Sequence, residues 1–134
     1  MKTRFITFAF ISLSLLVVLA SCNKPADVTD QYLRSGNSLA LTPDGNLVIA
    51  GYSTSSTKGY EAILVKVSAS TGDTLWTKIY GNPFSDAFYC VKNAHKGGFI
   101  ASGFSNRASA SSPAMLAVIT DNNGVAVKTS TYWG

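Results

Sequence analysis

Charge is scarce in this sequence: only 13% of its residues are charged, and it holds one histidine and two cysteines. Runs of Lys or Arg are missing. From Cys22 onward 9 basic residues face 7 acidic ones, and all are scattered. A nucleic-acid surface needs grouped cations to neutralise phosphates, so no nucleic-acid partner is expected. The lone His95 falls in a turn, and nothing in its spacing from Cys90 would pair the two as base and nucleophile. Asp44, Glu61, Asp73, Asp86 and Asp121 occur singly in turns and loops, with neither the pairing of a glycosidase nor the spacing of a metal site. Asp121-Asn122-Asn123-Gly124 lacks the alternating oxygen ligands and final Glu of a calcium loop, and reads as a turn. No catalysis, metal or cofactor is expected.

One long apolar run is present, at the N-terminus. Met1 to Arg4 carries two positive charges, Phe5 to Ala20 is largely apolar, and Leu19-Ala20-Ser21-Cys22 follows. A basic start, an apolar middle and small residues before a break mark a signal peptide over residues 1–21. The run is shorter than the roughly 20 residues of a spanning helix. An ordinary cleaved signal and an uncleaved anchor both fit the residues alone. Residues 22–36 are polar, contain Pro25 and show no clear periodicity, so they read as a tether.

The remainder, 37–134, is built twice. Sliding residues 38–80 forward by 52 positions sets Gly45 on Gly97, Gly51 on Gly103, Gly72 on Gly124 and Tyr80 on Tyr132. Ala62 meets Ala114 and Leu64 meets Leu116 in the same ungapped alignment. A period of about 50 residues belongs to repeat architectures. Each copy (37–86 and 87–134) predicts four short strands separated by turn signals, such as Pro43-Asp44-Gly45 and Asn123-Gly124. Ile63-Leu64-Val65 and the run Met115 to Ile119 are apolar without alternation, so the third strand of each copy is expected to be covered on both faces.

Two resemblances follow from these residues. Leu19-Ala20-Ser21-Cys22 resembles the bacterial lipoprotein box, which implies cleavage before Cys22 and lipid on its thiol. That would anchor the chain to the cell envelope, and Asn23 in place of Asp is compatible with the outer membrane. With Cys22 so committed, Cys90 is left as a buried free thiol. Val67 to Trp76, with its Thr71-Gly72 turn and Trp76, resembles the tryptophan-docking motif of quinoprotein-type propeller repeats, where the Trp packs on the adjacent blade. Gly45 to Tyr52 and Lys96 to Phe104 are similar to propeller-like repeats of secreted and lipid-anchored bacterial proteins, many from Bacteroidetes. Lys128 stands where a second docking Trp would be.

The expected fold is all-β: two four-stranded antiparallel propeller-like blades, a partial β-propeller, after an N-terminal signal helix. The blade turns and packing rest on Gly45, Gly51, Gly72, Trp76, Gly97, Gly103 and Gly124. Propellers hold roughly four to eight blades, so two copies do not close a ring. A fragment of a longer gene, a ring of several chains and a compact pair of blades each fit. Two exposed blades expect self-association or a protein partner. Tyr52, Tyr60, Phe104, Tyr132 and Trp133 serve blade packing, stack on sugars or anchor a protein partner. The function expected is a membrane-anchored envelope lipoprotein with a binding or scaffold module. The alternative is an accessory part of a larger secreted carbohydrate-active or other propeller-containing enzyme.

Overall fold

The computed structural model describes residues 34–55, 59–106 and 113–132. The signal segment, Cys22, most of the tether and Trp133 lie outside them. The described chain is all-β and contains no helix. Its strands are β1 (Arg34–Leu41), β2 (Leu47–Ser55), β3 (Gly59–Val67), β4 (Thr74–Tyr80), β5 (Asp86–Asn93), β6 (Phe99–Ser105), β7 (Ala114–Thr120) and β8 (Ala126–Tyr132). They form two four-stranded antiparallel sheets, each a meander in chain order.

The turns explain the meander. In the β1–β2 turn the Thr42 N–H donates to the Asn46 carbonyl (2.8 Å) and the Gly45 N–H to the Thr42 carbonyl (2.9 Å). In the β7–β8 turn the Asp121 carboxylate accepts from the Asn123 and Val125 N–H groups, both at 2.8 Å. A side chain that mimics a backbone turn in this way explains why Asp121 stands there.

The two sheets break their ladders at matching places. One extra residue interrupts β1 at Asn37 and β5 at Tyr89. Another interrupts β4 at Leu75 and β8 at Val127. These bulges twist the strands. They also let β1 and β5 run on past the expected starts at Ser38 and Phe88, pairing Arg34 with Ser53 and Asp86 with Ser105.

The ungapped alignment fails at one strand. Gly51 pairs with Ile63, but the matching Gly103 pairs with Leu116, so β7 is displaced by one residue from the 52-residue offset. The sequence gains one residue between β6 and β7 and loses one in the turn before β8, where Tyr80 and Tyr132 come back into step. Ala62 therefore corresponds to Met115, and Ile63 to Leu116. Side chains alternate along a strand, so a one-residue slip exchanges its two faces.

Residues paired directly across a sheet share a face, which sorts every side chain. The first sheet turns Ala40, Val48, Ala50, Ala62, Leu64, Trp76 and Tyr80 towards the second; this is termed its forward face. The second sheet answers with Phe88, Val91, Phe99, Ala101, Leu116 and Val118. By strand correspondence these occupy the positions of Gly36, Leu39, Leu47, Ile49, Ile63 and Val65, which lie on the rear face of the first sheet. The core is thus a forward face seated on a rear face, with β5 crossing β1, β2 and β3.

The expected double cover of the third strands is met only in part. Ile63 and Leu64 are buried in β3, but Val65 is half-buried. In β7, burial alternates, and Met115 is 67% exposed. Its forward face meets no other element among the described residues.

Candidate functional site

The glycines singled out in the sequence divide into two kinds. Gly45, Gly72, Gly97 and Gly124 have positive φ in turns. Gly51 and Gly103 do not; each lies where the neighbouring strand bulges against it. A Cβ at Gly51 would lie 1.7 Å from the Ser35 carbonyl oxygen, and one at Gly103 would lie 1.8 Å from that of Ala87. No side chain fits there, and backbone cannot yield as a flexible side chain would.

Trp76 and Gly124 meet at the junction of the sheets. The half-buried Trp76 ring lies 6.1 Å from that of Phe99, and its edge would be 2.9 Å from a Cβ at Gly124. Beside it, the Tyr80 hydroxyl donates to the Gly124 carbonyl at 2.6 Å, and its ring lies 5.4 Å from Phe88. Burial, helped by the Asp121 charge, raises the Tyr80 phenol above its usual range. The residue Gly124 is therefore both turn and docking surface.

A polar knot closes the link between β4 and β5. Asn82 donates from its side chain to Ser105 Oγ and the Asn106 carbonyl, both at 2.8 Å, and from its backbone to Asp86 Oδ2 at 2.8 Å. Its carbonyl oxygen accepts from the Phe84 N–H at 2.8 Å. Asp86 is fully buried. Burial holds its carboxyl above the usual carboxylate range, against the pull of the Ser105 and Asn82 bonds. Sequence reading missed this knot, because no motif joins Asn82, Asp86 and Ser105; only the density of turn residues from Gly81 to Ser85 signals it.

The Asp44 carboxylate is also tied into structure. Asp44 accepts from Lys66 Nζ at 2.7 Å and from the Thr42 hydroxyl, and the lysine ammonium foremost holds its carboxyl well below the usual range. Lys66 is itself nearly buried, at 8% exposure. His95 is exposed in the β5–β6 turn. Cys90 is half-buried and free, where full burial was expected, because its side of β5 faces the open side of the second sheet. Among the described residues no group of three His, Cys, Asp or Glu side chains comes together.

The surfaces that remain unexplained are the two outer faces. The rear face of the first sheet exposes Leu39, Leu41 and Ile79 at 61–64%. The forward face of the second exposes Tyr89, Ile100, Met115, Ile119 and Tyr132. A shallow groove of about 340 Å³ crosses that forward face between Tyr89, Ser102, Met115, Ala117 and Tyr132. Of the aromatics, Tyr52 stacks edge-on with Tyr60 at 4.8 Å, and Phe104 lies 5.8 Å from Tyr89. Exposed apolar faces of this kind mark interaction surfaces.

No family model matches the chain, and no curated protein matches it either.

Proposed function

We propose that the chain is a lipid-anchored protein of the bacterial envelope, and that its paired sheets are propeller-type blades serving as a binding or scaffold module. The observation that carries this reading is the seating of a forward face on a rear face. Propeller blades stack in that repeating sense, whereas the two sheets of a sandwich are related differently. Trp76 supports the reading, since it leaves its own sheet to pack on Phe99 and the Gly124 turn of the next. The lipoprotein box at Leu19-Ala20-Ser21-Cys22 supports the anchor, with multiple acyl chains giving stable attachment. The outer membrane is the expected site, and an interaction role without catalysis is the one proposed. Asp44, Asp86 and Asp121 are engaged in turns and in the polar knot.

Labelling the full chain in bacteria with an alkyne fatty acid tests the anchor. The expected result is a labelled, membrane-bound protein, with both properties lost in Cys22→Ser. Label retained in that variant, or an unlabelled soluble protein from the native sequence, would overturn it.

A further inference from the structure

We infer that a second copy of this chain covers the open faces, the rear face of one copy's first sheet seating on the forward face of the other copy's second sheet. This inference stands on sheet packing alone and does not depend on the lipid anchor.

The chain already contains one such contact. Its two sheets meet forward face to rear face, which, among the described residues, leaves one face of each kind without a second sheet on the same molecule. Every copy therefore carries both halves of an interface whose geometry its own core displays. An unlike pair of faces repeats by a constant rotation, and it closes a ring when the rotations sum to a full turn.

The uncovered faces retain the required shape through exchanged volume. In the core, Phe88 fills the hollow beside Tyr80, and the residue diagonal to it on β6, across from Val91, is the small Ala101. On the open rear face the corresponding residues are Gly36 and Ile49. The Ile49 γ2 methyl lies 3.0 Å from where a Cβ of Gly36 would be, so the bulk has moved to the neighbouring strand. The groove between Tyr89 and Tyr132 occupies the place that Phe88 fills in the first sheet. Lys92 and Lys128 are the charged residues of this face. They end the row Lys92-Ile100-Ile119-Lys128, and both are exposed.

A disulfide reads the arrangement. Across the existing junction the Val91 N–H donates to Ser38 Oγ at 3.3 Å. Moving one repeat forward places Cys90, the counterpart of Ser38, beside Leu39 of the next copy, the counterpart of Val91. A side-chain atom that reaches the facing backbone sets the two positions side by side, and a pair of cysteines there reads whether they come within disulfide reach. The full chain with Leu39→Cys, oxidised mildly in whole-cell lysate and resolved without reductant, should shift into a ladder of covalent multiples. For a closed ring the ladder ends at about two to four copies, matching roughly four to eight blades. It should vanish with Cys90→Ala added, and equally with Met115→Glu, which puts a charge in the groove wall. Ile79→Cys, on the same rear face but on the β4 edge, should give no ladder. Absence of the Leu39→Cys ladder would overturn the inference, as would an equal ladder from Ile79→Cys. So would a dimer joined through Cys90 alone in the native sequence, which requires forward face on forward face. A cross-linked product with the mass of some other protein would likewise overturn it.

Discussion

The lateral row Ala40-Val48-Lys66-Trp76 of the first sheet corresponds to Lys92-Ile100-Ile119-Lys128 of the second. Both rows mix charge with apolar bulk, but in opposite order. In the first the lysine lies inside the row, nearly buried and matched by Asp44, and the tryptophan closes the end against Phe99. In the second the lysines take both ends and the isoleucines the middle. The backbone is the same, with bulges at the same points. What differs is cover: the first row is roofed within the chain, and an interior cation there needs a carboxylate. The second row opens to solvent, and its cations stay at the rim. The comparison separates what the repeat imposes, which is strand order, bulges and glycines, from what the neighbour of each face imposes.

The largest effect should fall where the sheets are alike. Gly51→Ala and Gly103→Ala each drive a Cβ into a backbone oxygen. Each is expected to destabilise by about 4 kcal/mol or more in thermal unfolding. If one variant folded normally while the other collapsed, the structural equivalence of the two bulged strands would be broken.

Where the sheets differ, the effects should differ too. Trp76→Lys, which gives the first row the residue of the second, removes a half-buried ring from Phe99 and Gly124. It should cost about 2 kcal/mol. The reciprocal Lys128→Trp adds a ring to an uncovered face of the isolated chain and should change stability by less than about 0.5 kcal/mol. Chemical denaturation of both variants would show whether cover, rather than residue type, sets the difference.

The smallest effect is a dependence on pH. The Asp44 carboxyl is held below its usual range in the folded state, so its contribution is present above the unfolded value of 3.8 and fades as pH falls through the lower folded value. Asp44 is exposed, and solvent screens its pairing with Lys66. Unfolding midpoints measured at descending pH should decline slightly for the native chain below the ordinary carboxylate range. Asp44→Asn should lose that part of the slope. Asp86 acts in the opposite sense: its raised value makes folding easier when it is protonated, so its contribution is lost as pH rises through the folded value.

Much of this architecture was legible in the residues. The turns Pro43-Asp44-Gly45 and Asn123-Gly124 and the recurrence of glycines placed all eight strands. Trp76 stood out in the sequence as a packing residue, and its ring lies 6.1 Å from that of Phe99. Two things were hidden. The alignment of Ala62 with Ala114 and Leu64 with Leu116 was attractive because like residues coincided, yet register is fixed by loop length and pairing, which composition does not show. The knot of Asn82, Asp86, Ser105 and Asn106 was hidden for a different reason. Polar residues in a connector and at strand ends resemble solvent-facing loop until three-dimensional packing buries some of them, here Asp86 and Ser105.

The meander order of the sheets sets a timetable for the newborn chain. Every strand of the first sheet pairs with its neighbour in sequence, so β1 to β4 need nothing from later residues to form their ladders. Their apolar side, however, waits for Phe88 and Phe99. A ribosome adding about 10 residues per second leaves that surface bare for several seconds before β5 to β8 are all available. Hairpins zip in microseconds, so the slow event is the docking of one finished sheet onto another. The interval in between is when a chaperone, or a neighbouring nascent chain, has the most to grip.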